Sequence, residues 1–174
     1  MRCLLATLSC VVSFPALAQM SVTTFGATDA VLCYQNAADD FSRDSTPCDQ
    51  ALRTALTGDD RKKTFVNRGI IRNREGRLGD AIEDFDAALA LDGGLAEAFL
   101  NRGNSHYLGG RYGEAVADYE ESLRLGVRKP WAAWYNIGLA KDALNDKEGA
   151  RAAYQKALEI NPDFFQARQK LDGR

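Results

Sequence analysis

Few side chains in this chain of 174 residues are equipped for chemistry. His106 is the one histidine, and the thiols are Cys3, Cys10, Cys33 and Cys48. Structural zinc takes four Cys or His ligands, and a histidine proton relay needs a partner that orients the base. The run Gly109-Gly110-Arg111-Tyr112-Gly113 has the glycine density of a phosphate loop. It follows a helical pattern instead of a strand and lacks the Gly-Lys-Ser/Thr ending, so it reads as a turn. Glu114 with Glu120-Glu121 reads as a helix start and a solvated helix face. No two carboxylates form a defensible acid/base pair. The expectation is a protein that is not an enzyme, with no metal and no cofactor. Charge narrows the field further: 22 Lys+Arg against 24 Asp+Glu give −2, with no basic excess to suit a nucleic acid.

One spacing does point to recognition. Asn67, Asn101 and Asn136 recur at intervals of 34 and 35 residues. A primary amide carries a donor and an acceptor side by side, so it can meet a peptide unit with two hydrogen bonds and ignore that unit's side chain. Three in register would form a ladder for an extended chain. The alternative is that the amides bond neighbouring helix backbone and shape the stack, since buried amides must be satisfied either way.

The elements that must position these amides are visible as a repeat from residue 62 onward. Gly69, Gly103 and Gly138 keep the same 34- and 35-residue intervals. So do Ala81, Ala115 and Ala150; Phe85, Tyr119 and Tyr154; and Ala88, Ser122 and Ala157, each of the last followed by Leu. The extra residue of the second interval falls in the loop-like stretch Gly126 to Pro130. Each unit reads as two helices. The first runs over 64–75, 99–108 and 132–144, and the second begins near Asp80, Glu114 and Glu148, where an acid suits the positive end of the helix dipole. Antiparallel helices approach closely only where side chains are small, and the aromatic of each unit then fills the wider gap. One hairpin cannot bury its apolar faces alone, but stacked hairpins can. At about 100° per residue, one side of the first helices is left to line a concave wall: Val66, Asn67, Ile70 and Arg74; Leu100, Asn101 and Asn104; Tyr135, Asn136 and Leu139. Val66, Ile70, Leu100 and Leu139 would either accept apolar side chains or pack between repeats. Arg74 would favour an acidic segment.

The period, the Gly–Ala–aromatic–Ala series and the closing Asn161-Pro162 resemble the tetratricopeptide repeat over residues 62–174. The Asn-Arg-Gly triplets at 67–69 and 101–103 look like a common subtype. Departures fall at the closing position, where Gly93 and Val127 stand in place of the usual Pro and only Pro162 fits, and at inner positions: Arg68 and Arg102 stand where the family usually has Leu, and Arg72, His106 and Lys141 where Tyr is frequent. The resemblance implies an all-α fold, a short right-handed solenoid with units 62–95, 96–130 and 131–162. It implies protein–protein interaction as the function, sets the three asparagines beside the ladders of superhelical family members, and turns His106 toward its partner helix as a satisfied structural histidine.

The ends differ, as solenoid ends should. Residues 163–174 read as a capping helix over 163–171, with Asn161 as cap and Pro162 in the first position. Residues 29–57 read as a degenerate hairpin: a helix over 29–38, then Thr46 as cap, Pro47, Cys48 and Asp49 opening a second helix. Residues 19–28 read as a flexible lead-in. Before them, 1–18 combine Arg2, an apolar run and Ala16-Leu17-Ala18, the pattern of a cleavable export signal too short to span a bilayer. Lipid attachment at Cys10 is the alternative, with Thr7 where such signals usually carry Leu. Cleavage after Ala18 removes Cys3 and Cys10 and leaves Cys33 and Cys48. An exported chain with this pair suggests a disulfide closing a 15-residue loop, for about 3 kcal/mol on the chain-entropy estimate. The reading is a scaffold of the periplasm that holds a protein or peptide partner in its groove, with no integral membrane segment after cleavage. The alternative is a structural subunit that self-associates or docks in a larger envelope complex.

Overall fold

The computed structural model describes residues 25–173, which fold as helices joined by turns and short loops; the expected export signal and residues 19–24 of the lead-in lie outside them. The helices are α1 (Phe25–Ala38), α2 (Thr46–Leu52), α3 (Gly58–Arg74), α4 (Leu78–Leu91), α5 (Ala96–Leu108), α6 (Tyr112–Arg124), α7 (Pro130–Ala143), α8 (Lys147–Ile160) and α9 (Phe165–Leu171). They pair as antiparallel hairpins α1/α2, α3/α4, α5/α6 and α7/α8, each stacked on the next, with α9 closing the stack on α8. The odd-numbered helices form one wall, α1 beside α3, α3 beside α5 and α5 beside α7. No helix among the described residues is long and apolar enough to cross a membrane.

Small residues set the spacing of each hairpin. A Cβ built on Gly69 would lie 2.7 Å from the Phe85 ring, and one on Gly103 would lie 2.7 Å from the Tyr119 ring. At Gly138 the Tyr154 ring is closer still. These rings are buried, with Ala81, Ala115 and Ala150 buried beneath them. The turn after each first helix passes through Gly76, Gly110 or Asn145, all at positive φ (79°, 75° and 63°). That conformation lets the helix end without a Cβ penalty at the glycines, and Asn is the side chain that best tolerates it.

Helix starts within the repeats fall earlier than the sequence reading, and that of α9 falls later. α3 begins six residues early because Thr57 caps it, its hydroxyl accepting from the Asp60 N–H at 3.1 Å with Asp59 and Asp60 in the first turn. α1 is already helical at Phe25, the first described residue, inside the expected lead-in, and α2 stops at Leu52. The cap of α2 is Ser45, with Thr46 already helical. Asn161 caps the C-terminus of α8, and α9 opens at Phe165 after a Phe164 cap, so Pro162 sits in the connecting turn.

The N-terminal hairpin is stapled. Cys33 and Cys48 are bonded across α1 and α2 with Cα atoms 4.8 Å apart, both fully buried against Ile71 of α3. The C-terminal carbonyls of α1, which have no partner within the helix, accept from Arg74: Asn36 O at 3.1 Å, Ala37 O at 2.8 Å and Asp39 O at 2.7 Å.

Candidate peptide-binding groove

The ten residues assigned to the inner wall all lie on α3, α5 and α7 and are all half-buried. Their commitments differ. Asn101 donates to the Glu97 carbonyl of its own helix at 2.8 Å. Asn136 donates to Asn104 Oδ1 at 3.0 Å, and the Tyr119 hydroxyl donates to the same oxygen at 3.0 Å. Burial pushes the Tyr119 phenol upward, which keeps it a proton donor. Asn104 therefore joins α5 to α7 and to its own partner helix α6. Asn67 makes no side-chain hydrogen bond among the described residues, and Val66 and Ile70 flank it on α3.

Four of the ten are redirected by the fold. Arg74, expected to draw an acidic ligand, is turned onto the end of α1 by the three carbonyls above and by Asp40 at 3.3 Å. Leu100 packs between repeats, against the buried groups around Ala133, Tyr119 and Ile137. Tyr135 and Leu139 pack against Ala150, Tyr154 and Ala157 of α8 and Ala167 of α9, and Phe164 meets the Tyr135 ring edge-on at 5.2 Å. The C-terminal cap thus covers the α7 end of the wall. What stays available is Val66, Asn67 and Ile70 on α3, the unused Asn101 and Asn104 amide atoms on α5, and the Asn136 oxygen.

The structure also explains the inner departures from the family pattern. Arg68 grips Asp84 of α4 through both carboxylate oxygens, Nε to Oδ2 at 3.0 Å and Nη2 to Oδ1 at 2.6 Å, and reaches Asp49 of α2 at 2.7 Å. Arg72 adds a bond to Asp84 Oδ2 at 2.9 Å. One unit later, Arg102 holds Asp118 of α6 the same way, at 2.9 and 2.6 Å, and reaches Asp86 of α4 at 2.6 Å. Hydrogen bonding to Asp118 raises the Arg102 guanidinium above its usual range. Each arginine ties its own hairpin together and clasps the hairpin before it. In the third unit the corresponding residues are Ile137 and Ala153, packed in one apolar cluster. A signal for this existed in the sequence: Arg68 and Arg102, and Asp84 and Asp118, share the 34-residue interval, with each Asp 16 residues after its Arg. A second missed bond is that of Ser105, whose hydroxyl donates to Asn73 Oδ1 at 2.8 Å and links α5 to α3.

His106 does face its partner helix, but it is not satisfied. Its Nε2 lies 3.6 Å from Asp118 Oδ2, beyond hydrogen-bonding reach, and its buried Nδ1 has no partner among the described residues. Burial pushes the imidazole below its usual range against the pull of Asp118, with Arg111 and Arg102 adding to the depression. No group of His, Cys, Asp and Glu among the described residues could hold a metal ion.

Stacked helical hairpins with a glycine under every ring, joined along one wall by first helices, define an α-solenoid built from two-helix repeats. The chain belongs to the tetratricopeptide repeat family, whose models match residues 66–126 and 131–164. Among solved structures it is similar to MamA (TM-score 0.69, 23% identity, covering 86% of this chain and 78% of that one). It is also similar to the first repeat domain of Spaghetti (RPAP3) bound to the HSP90 peptide SRMEEVD (0.61, 22%, 65% and 89%). The second such domain of human RPAP3, in complex with the HSP70 peptide SGPTIEEVD, gives 0.62, 24%, 67% and 97%. At these identities the likeness is one of fold. No curated protein matches the chain.

Proposed function

We propose that this protein is an interaction scaffold of the periplasm that holds an extended, uncharged polypeptide segment against the α3–α5 part of its inner wall. The observation that carries this is the pairing of unspent amide groups on Asn67, Asn101 and Asn104 with the apolar Val66 and Ile70. A polypeptide laid across them finds hydrogen-bond partners for its backbone and lodging for small apolar side chains, and most of the affinity comes from groups that every sequence shares. Charge sets the selectivity. Each peptide seated in the RPAP3 domains carries three acids. The one cation among the ten wall residues, Arg74, is already spent on the end of α1. An acidic segment would lose its hydration here and gain no counter-charge.

Export is supported by the leader-like residues 1–18 and by the buried Cys33–Cys48 bond, since disulfides persist in oxidising compartments. Protein recovered from the periplasm should begin at Gln19 and show no free thiol without reductant. The groove is tested with Asn67→Ala/Asn101→Ala, which spares the structural Asn104–Asn136 bond. A partner captured by the wild type should bind the variant at least tenfold more weakly while the thermal melt is kept. Unchanged affinity on an unchanged fold removes the groove assignment.

A further inference from the structure

The inner wall carries an apolar side chain outside the ten residues picked by angle. Leu108 is the last residue of α5. At about 100° per residue it falls within about 60° of Asn101 and Asn104, on the face those two amides share. It is 59% exposed, whereas Leu100, Tyr135 and Leu139 are taken up by the packing described above. Every other exposed large apolar side chain among the described residues lies outside α3, α5 and α7.

The fold does not require a leucine there. One unit earlier the place is held by Arg74, which is engaged on the end of α1, and one unit later by Ala143. The turn after α5 closes on backbone groups: the Arg111 N–H donates to the His106 carbonyl at 2.8 Å and the Gly110 N–H to the Tyr107 carbonyl at 3.0 Å. The charges nearby are engaged or set back. Asp142 of α7 accepts from the Tyr154 hydroxyl at 2.7 Å and from Lys147 at 3.1 Å. Arg111, which has no ion pair among the described residues, lays its guanidinium over Gly109, 3.8 Å from where a Cβ there would stand. An apolar centre with a polar rim is the form that recognition surfaces take.

We propose that Leu108 sets the specificity of the groove: the segment laid on Asn67, Asn101 and Asn104 carries one large apolar side chain, and that side chain seats on Leu108. The proposal rests on the groove reading and adds a sequence requirement to it. The amides meet the backbone of any sequence, so they hold a segment without reading it. From Asn101 to Leu108 the helix rises roughly 10 Å, which about three residues of an extended chain span. A leucine, methionine or phenylalanine at that distance from the amide contact leaves water together with the exposed part of Leu108. A serine there has nothing apolar to cover it with, and a charged side chain would lose hydration with no offsetting partner on the leucine. Covering about half of one leucine with another apolar side chain is worth about tenfold in affinity.

The test is a titration of the full chain, purified as the cell leaves it and followed by NMR to millimolar peptide. The probe is an acetylated and amidated heptapeptide of threonine, serine and valine whose central residue is leucine, serine or aspartate. The leucine peptide should shift the side-chain amides of Asn67 and Asn101 and the methyl groups of Leu108, and bind about tenfold more tightly than the serine peptide. Leu108→Ser should bring the leucine peptide down to the serine peptide's affinity, and Leu108→Met should keep the preference. The side chain is exposed, so both variants should fold, which circular dichroism checks. Equal affinity of the leucine and serine peptides for the wild type overturns the proposal, and so does a preference that survives Leu108→Ser. In either case the groove reading stands if Asn67→Ala/Asn101→Ala still weakens binding. Tighter binding of the aspartate peptide also overturns it and makes Arg111 the group that reads the segment. If no peptide shifts the wall amides, the groove reading falls and the proposal falls with it.

Discussion

The third unit supplies a control for the ion pairs of the first two. Ile137 and Ala153 occupy the places that Arg102 and Asp118 hold one unit earlier, so Arg102→Ile/Asp118→Ala copies a pairing the fold already accommodates. Each single change leaves a charge stranded. Asp118→Ala strips Arg102 of its two-pronged partner, leaving Asp86 and the imidazole of His106 nearby. Arg102→Ile leaves the Asp118 carboxylate, only 8% exposed, with no hydrogen-bonding cation. Removing one member of a buried pair costs about 3–5 kcal/mol. Arg102 is 22% exposed and keeps Asp86, so its loss should sit at the low end, about 3 kcal/mol. For a chain of this size that is about 6–12 °C in Tm. The double variant removes both desolvation penalties and should fall within about 1 kcal/mol of wild type, or above it. A double-mutant cycle by urea denaturation, followed by circular dichroism, should therefore return a coupling energy of at least about 3 kcal/mol. If the double variant loses the sum of the two single losses, the pair is not a unit and the reasoning fails. The clasp to Asp86 is a rim contact and should add less than about 1 kcal/mol on its own.

The other expectations are simpler. Gly138→Ala and Gly103→Ala drive a methyl group into the buried rings of Tyr154 and Tyr119, and each should cost about 1–3 kcal/mol by overpacking; Gly138 should cost more, and thermal melts that rank it below Gly103 would contradict the packing argument. Reducing Cys33–Cys48 should lower stability by about 3 kcal/mol, visible as a lower melting temperature with reductant and absent in Cys33→Ala/Cys48→Ala. The depressed His106 makes stability depend on pH with a definite sign. The unfolded imidazole binds a proton at its usual value while the folded one holds out to lower pH, so its stabilising effect is present above about pH 6.5 and is lost as pH falls through the folded value. Urea midpoints compared between neutral and mildly acidic buffer should fall more for wild type than for His106→Leu, and equal falls would refute it.

The repeating part of the fold was legible because its causes repeat. A glycine that must sit under a ring is forced wherever the hairpin recurs, so Gly69 with Phe85, Gly103 with Tyr119 and Gly138 with Tyr154 mark the architecture by interval alone. Boundaries were less legible for a local reason. The interval reports the inward face and is silent on polar first turns such as Asp59-Asp60, which the Thr57 cap commits to α3. The helical state of Phe25 to Thr28 in α1 was hidden in the same way, since these residues contribute nothing to the repeat.

The wall was legible in position and only partly in use. Angular placement put ten residues on the right helices, but whether a side chain on that face is free depends on its neighbours in space. Arg74 is spent by α1, an element that does not share the repeat; Tyr135 and Leu139 are covered by α9, which exists only because the stack ends there. The terminal elements thus consume wall residues from both sides and confine the open stretch to α3 and α5. The arginines show the converse. Arg68 and Arg102 looked like faults in the inner packing because each was compared with the leucine of the family pattern taken singly. Paired with an Asp 16 residues on, each is a closed electrostatic unit, and the unit is absent where Ile137 and Ala153 let α7 and α8 close without charge. A solenoid that changes from ionic to apolar closure along its length should open first where removal of one partner is most costly. Native-state hydrogen exchange in Asp84→Ala, where Arg68 and Arg72 both lose their buried partner and keep only the more exposed Asp49, should show α3 and α4 exchanging before α7 and α8. Loss of protection spread evenly over all four hairpins would mean that the stack opens as one body and that the closures are not independent.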